Sequence, residues 1–133
     1  EIPMLTRRLF LTAAAMLAAT AAVAQSAGPA APFTQAAFEA AQSAGKSVIV
    51  EVTAPWCPTC KAQAPIISSL MARPDMKGVT LLKVDFDSQK DILRTLRVAQ
   101  QSTLIAFKGK TETSRSIGDT TPAGIEKLFK SAI

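Results

Sequence analysis

Residues 47–61, SVIVEVTAPWCPTCK, constrain this chain more than any other stretch. Ser47 to Thr53 is β-branched and almost continuously apolar, the pattern of a strand covered on both faces. Ala54-Pro55 ends it, and Cys57-Pro58-Thr59-Cys60 opens a helix predicted over Cys57 to Met71. Pro58 suits the first turn, where its missing N–H has no partner to lose. Ile66, Ile67, Leu70 and Met71 fall on one side of this helix, and Pro65 in its interior predicts a kink. A doubly covered strand running straight into an amphipathic helix calls for a layered α/β architecture.

Cys57 and Cys60 are the only two cysteines in 133 residues, and histidine is absent. Without histidine there is no imidazole metal ligand, no Ser-His or Cys-His nucleophile pair and no imidazole proton shuttle. A chain of this length can bury a core without staples, so the pair need not hold the fold together. It can be an inert disulfide, half of a tetrahedral metal site completed by a second chain, or a working redox pair. For the last, Cys57 at the helix start faces unpaired backbone N–H groups and the positive end of the dipole, which favour its thiolate. Cys57 is then the nucleophile, and Cys60, one turn deeper, the resolving thiol. Glu51 interrupts the apolar strand six residues before Cys57, where a carboxylate is costly unless paired or protonated.

The formal charge of +5 comes from 15 basic and 10 acidic residues scattered without a run, with few aromatics between them. That pattern gives no support to nucleic-acid binding. From Met4 the sequence reads MLTRRLFLTAAAMLAATAAVAQ, a basic start, an apolar Ala-rich run and a small-x-small site at Ala22-Val23-Ala24. Residues 1–24 are expected to be a signal peptide cleaved after Ala24, with Glu1-Ile2-Pro3 preceding a plausible start at Met4. Arg7-Arg8 before Leu9-Phe10 resembles a twin-arginine export signal, with general secretion as the other route. Cleavage removes Arg7, Arg8 and Glu1, leaving 13 basic and 9 acidic residues. The expected location is the periplasm, an oxidising compartment in which a dithiol needs a continuing source of electrons.

Residues 25–32 read as an Ala/Gly/Pro linker and 33–133 as one domain. Its predicted elements are a helix over Thr34 to Ala44, strands over Ser47 to Thr53 and Val79 to Phe86, and a helix over Ser88 to Arg97 opened by Ser88. A hairpin of Thr103 to Phe107 with Ser114 to Ile117 follows, then a helix capped by Thr121 that buries Ile125, Leu128 and Phe129. The strand VIVEV leading into A-x-W-C-x-x-C-K, Pro65 five residues after Cys60, the Lys83-containing strand, the hairpin and Gly118 resemble the thioredoxin family over Phe33 to Ile133. The resemblance implies an α/β, thioredoxin-like fold with a central mixed four-stranded sheet, a parallel βαβ unit plus an antiparallel hairpin, flanked by helices on both faces.

The resemblance also implies a thiol:disulfide oxidoreductase that acts as a monomer on protein disulfides. Its redox group is a Cys57–Cys60 disulfide, with no other cofactor and no metal. Trp56 is expected as a flat wall of the site, with Pro58, Thr59, Gln101, Ser102 and Thr103 meeting substrate. Glu51 corresponds to the family's internal acid, which relays a proton to the second cysteine, and Lys83 to that acid's partner. One departure concerns the cis-proline that the family places opposite the dithiol, because Ser102 stands there. A cis bond before a non-proline residue costs about 2.5–4 kcal/mol, so a trans bond and a reshaped loop are expected. Strong oxidases of the family carry His between the cysteines, which Thr59 cannot replace, and isomerases add a dimerisation module for which the domain has no room. The expected function is therefore an exported reductase recharged by a membrane thiol transporter. The alternatives are a disulfide oxidase and a metal or iron–sulfur carrier.

Overall fold

A computed structural model describes residues 30–133. The leader, its cleavage point and residues 25–29 of the linker lie outside the described residues. The elements run β1 (Ala31–Pro32), α1 (Gln35–Ser43), β2 (Ser47–Thr53), α2 (Pro58–Met71), a 3-10 turn (Pro74–Met76), β3 (Val79–Asp85), α3 (Lys90–Leu96), β4 (Thr103–Lys108), β5 (Thr111–Ile117) and α4 (Pro122–Ser131). They form one mixed sheet in the order β1-β3-β2-β4-β5. The doubly covered strand β2 sits at its centre, parallel to β3 from Ser47↔Val79 to Thr53↔Asp85 and antiparallel to β4 from Ser47↔Lys108 to Glu51↔Leu104.

Alternation along the strands sorts the core into two layers. Val48, Val50 and Val52 pack with Phe33, Phe38, Leu93 and Leu96 against α1 and α3. Ile49, Leu81, Leu104 and Ala106 pack with Ile67, Leu70, Ile125 and Phe129 against α2 and α4. Burying an apolar side chain of this size fully contributes roughly 1.5–3 kcal/mol, and β2 collects such contributions from both faces. Its end, and the start of α2 just beyond it, are therefore held in place from both sides.

Three expectations are corrected. The sheet has five strands, not four: Ala31 and Pro32, assigned to the linker by sequence, pair in parallel with Leu82 and Lys83, and Phe33 donates its N–H to Lys83 O at 2.7 Å. Proline is tolerated there because β1 is an edge strand with no ladder donor to lose. Ser88 does not open α3; the helix begins at Lys90 behind Gln89, which makes no side-chain cap bond. Ser88 instead donates its hydroxyl to Asp85 Oδ1 at 3.0 Å, and the same oxygen accepts the N–H groups of Asp87 and Ser88. The far end of α3 is closed by Arg115, whose guanidinium donates to the carbonyls of Leu96 and Arg97. β5 also starts three residues earlier than expected, at Thr111.

At α4 the expected cap is present. Thr121 accepts the Gly124 N–H on Oγ1 at 3.2 Å, and donates its hydroxyl to Asp119 Oδ1 at 2.7 Å. Thr121→Ala removes both bonds, and urea unfolding should show a loss of about 1 kcal/mol. An unchanged midpoint would mean that α4 is fixed by its buried face alone.

Candidate active site

Cys57 is the N-cap of α2. Its backbone is extended (φ −87°, ψ 110°), and its Sγ accepts the N–H of Cys60 at 3.1 Å, the place usually taken by a Ser, Thr or Asp oxygen. Pro58 fills the first turn without adding a donor. Cys57 and Cys60 are joined as a disulfide with Cα atoms 5.3 Å apart. Cys57 has no exposed surface and Cys60 4%, and Ala54 and Phe86 pack against the pair. Pro58 and Thr59 stand at the surface between them, exposed and half-buried.

Trp56 is 54% exposed, so it is no core residue. Its indole Nε1 donates to Asp87 Oδ2 at 2.8 Å and its ring meets Phe86 edge-on at 6.3 Å, which fixes the plane beside Cys57. Asp87, absent from the residues picked out by sequence, is thus a brace of the site.

Glu51 projects to the α2 side of β2 and is 3% exposed. It lines a cleft of about 290 Å³ with Ala64 and Ser68 of α2 and with Lys83, its register partner on β3. Lys83 Nζ lies 3.7 Å from Glu51 Oε2, within ion-pair range but too long for a hydrogen bond, so Oε2 has no hydrogen-bond partner. Burial pushes the Glu51 carboxyl above its usual range, and the Lys83 charge only partly draws it back. The structure thus brings these two sequence-selected residues together. Ala64 lies one helical turn beyond Cys60, but neither cysteine lines the cleft. A second groove, between α2 and α4, is lined by Pro65, Ile66, Arg73 and Glu126 among others and likewise by neither cysteine.

On the opposite wall, no peptide bond among the described residues is cis, and Ser102 has φ +62°. Ser102 donates its N–H to Val52 O at 2.9 Å, while its Oγ lies 3.2 Å from Cys57 Sγ and 3.4 Å from Cys60 Sγ. Gln63, fully buried and not anticipated from sequence, donates through Nε2 to the carbonyls of Ser102 and Asp119 at 3.3 and 2.8 Å. A signal for it existed: Gln63 precedes Ile67 by four residues and Leu70 by seven, on the inward face of α2. Gln101 is half-buried at the rim, and Thr103 is buried with its hydroxyl committed to Gln100 O at 2.7 Å. Among the described residues no three His, Cys, Asp or Glu side chains converge on a point that could hold a metal ion.

A strand-delivered dithiol at a helix N-terminus, with an acid behind it, defines a thiol:disulfide oxidoreductase. Residues 29–131 match the thioredoxin family. Thioredoxin-2 of Saccharomyces cerevisiae is 32% identical over 97 residues, covering 72% of this chain and 90% of its own. Thioredoxin of Chlamydia trachomatis is 38% identical over 71 residues, 53% and 68% of the two chains. The chain spans 57% of the length of rice Thioredoxin H2-1, to which it is 31% identical over 81 residues (61% of this chain). Among solved structures, Trxlp from Edwardsiella tarda EIB202 superposes with a TM-score of 0.72 at 43% identity, covering 74% of this chain and 97% of that one. The chain belongs to the thioredoxin family.

The raised Glu51 ionisation fixes a pH dependence. Well below pH 4.5, the ordinary value for a glutamate, the carboxyl is neutral folded and unfolded, so burial carries no ionic penalty. As pH rises, the unfolded carboxyl ionises first, and stability falls until the folded carboxyl ionises too. Glu51→Gln should therefore match the native urea midpoint below pH 4.5 and gain on it progressively above. Lys83→Met should deepen the native protein's decline. A constant difference across pH would show that burial does not raise the Glu51 carboxyl.

Proposed function

We propose that this protein is an exported reductase that donates electrons from the Cys57/Cys60 dithiol to disulfides of other periplasmic proteins, and that a membrane thiol transporter recharges it. The observation that carries the direction is the pair between the cysteines: Pro58 and Thr59 place no cationic side chain there to stabilise the reduced form further. The basic, apolar and small-residue leader of residues 4–24 supports export, and an oxidising compartment makes an external electron source necessary. The relatives named thioredoxin support protein disulfides as the substrate class. The protein works as a monomer, with no bound cofactor beyond its own disulfide.

In this reading the Cys57 thiolate attacks a substrate disulfide and forms a mixed disulfide, releasing one substrate thiolate. The Cys60 thiol passes its proton towards Glu51 and attacks Cys57 Sγ, which releases the second substrate thiolate and restores the Cys57–Cys60 bond. Two electrons have moved from the dithiol to the substrate. Gln101 stands at the rim of one wall against which substrate docks and Trp56 forms the other; Ser102 and Thr103, expected to meet substrate, are buried behind Gln101.

Equilibration with glutathione should give a reduction potential nearer about −270 mV than the about −120 mV of a strong oxidase of this fold. Cys60→Ala should trap mixed disulfides through Cys57, and Cys57→Ala should trap none. A strongly oxidising potential, or trapping through Cys60 only, would reverse the assignment.

Export has its own test. Mature protein from a bacterial host should begin at Gln25, and replacing Arg7 and Arg8 together by Lys should keep it in the cytoplasm. Normal export of the double-lysine protein would assign it to general secretion, and retention of the leader with cytoplasmic residence would sink the export reading.

A further inference from the structure

The two sulfurs are buried, and a charge developing on either has little water to stabilise it. The backbone supplies one donor, the Cys60 N–H at 3.1 Å from Cys57 Sγ. The only side-chain polar group recorded against either sulfur among the described residues is the Ser102 hydroxyl, at 3.2 and 3.4 Å from the two. A disulfide sulfur carries no hydrogen, so in the oxidised protein the hydroxyl is the donor. Those two sulfurs are also its only hydrogen-bond partners among the described residues.

The backbone of Ser102 is set for this contact. Its φ of +62° is left-handed, a region that costs a non-glycine residue roughly 1–2 kcal/mol. The conformation is held by its own N–H on Val52 O, by the Gly118 N–H on its carbonyl at 3.0 Å, and by Gln63 on that same carbonyl. Every backbone polar group of Ser102 is thus engaged, and the hydroxyl is left pointing between the sulfurs. A proline, fixed near −65° and lacking the N–H, cannot occupy this arrangement.

We infer that Ser102 is a catalytic residue, whose hydroxyl donates a hydrogen bond to whichever of the two sulfurs carries negative charge during thiol–disulfide exchange. In the reduced protein it bonds the Cys57 thiolate. When the Cys60 thiolate attacks Cys57 Sγ, charge passes from the Cys60 sulfur, through the new sulfur–sulfur bond, to the departing substrate thiolate. Rotation about the Cβ–Oγ bond lets one hydrogen follow that charge across both sulfurs. The hydroxyl keeps its proton throughout, and the electron count is that of the exchange itself. The role is independent of the direction proposed above, although a donor that stabilises the thiolate makes the dithiol less reducing than it would be without one.

The test separates hydroxyl from backbone. Ser102→Gly deletes the hydroxyl and accepts φ +62° without strain, whereas Ser102→Ala deletes it and keeps the strain. The ultraviolet absorbance of the thiolate and the rate of alkylation against pH report the Cys57 ionisation, and urea unfolding reports the fold. Both variants should raise the Cys57 pKa by about one unit, a tenfold loss of thiolate at mildly acidic pH. Above both thiol pKa values, the dithiol–disulfide equilibrium should shift about tenfold towards disulfide, or about 30 mV to the reducing side. The stability of the two variants should differ, because only glycine relieves the backbone. An unchanged Cys57 ionisation in either variant, or shifts of opposite sign, would overturn the inference. Whether the native potential is reducing or oxidising decides the direction of electron flow separately, since the Ser102 result is read as a difference between variants.

Discussion

The bond from the Cys60 N–H to Cys57 Sγ is where fold and chemistry are one interaction. A helix must satisfy its first N–H groups, and here the cap atom is the reactive sulfur itself. A thiolate accepts such a bond better than a thiol, so the contact that closes the helix also favours the ionised form of Cys57 once the disulfide is reduced. The geometry holds only if the start of α2 cannot drift. Strand β2, packed through Val48, Val50 and Val52 on one face and Ile49 on the other, anchors it. The last carbonyls of that strand serve the site directly: Val52 O accepts the Ser102 N–H and lies 4.0 Å from Cys60 Sγ.

The buried polar residues sort themselves around this point. Glu51, Gln63, Ser102 and Thr103 are the polar or charged residues buried among those described; they lie on β2, on α2, in the loop before β4 and at the start of β4. Elsewhere the interior is apolar and alternates by the rules of strand and helix. Burying polar groups costs stability unless each finds partners, so their concentration marks where packing has yielded to chemistry. Gln63 has spent its amide hydrogens on two carbonyls and Thr103 its hydroxyl on one. Glu51 Oε2 and the Ser102 hydroxyl are different, because neither is tied into a structural bond: one faces a cleft and the other two sulfurs.

Most of the fold was legible because its signals are local and repeated. The β-branched run of β2, the apolar spacing in α2 and the Thr121-Pro122 start of α4 each predict their element within a residue or so. β1 escaped because two residues cannot display a period, and Pro32 argues against a strand unless its edge position is known. Ser88 misled for a related reason: its hydroxyl could cap a helix or a turn, and the Asp85 carboxylate three residues back won it. At the site, the dithiol and the Glu51–Lys83 pairing were readable from spacing and resemblance. Gln63 and Asp87 were not singled out, since a polar residue on a helix or in a loop reads as solvated until its partner is placed.

Ser102 shows how far a resemblance carries. Sequence disclosed that the family's proline is missing, and the cost of a non-proline cis bond implied a reshaped loop. It did not disclose the left-handed backbone, which no propensity of serine favours. That conformation is affordable because three hydrogen bonds, to Val52, Gly118 and Gln63, converge on one residue. The consequence divides the site into two parts. On one side stand the helix cap with the Cys57–Cys60 disulfide and the Glu51–Lys83 ion pair. The wall opposite them, where Gln101 sits at the rim and Ser102 turns inward, takes a course that a proline at this position could not follow. Ser102 joins the two parts, because its hydroxyl reaches both sulfurs while its backbone shapes the wall.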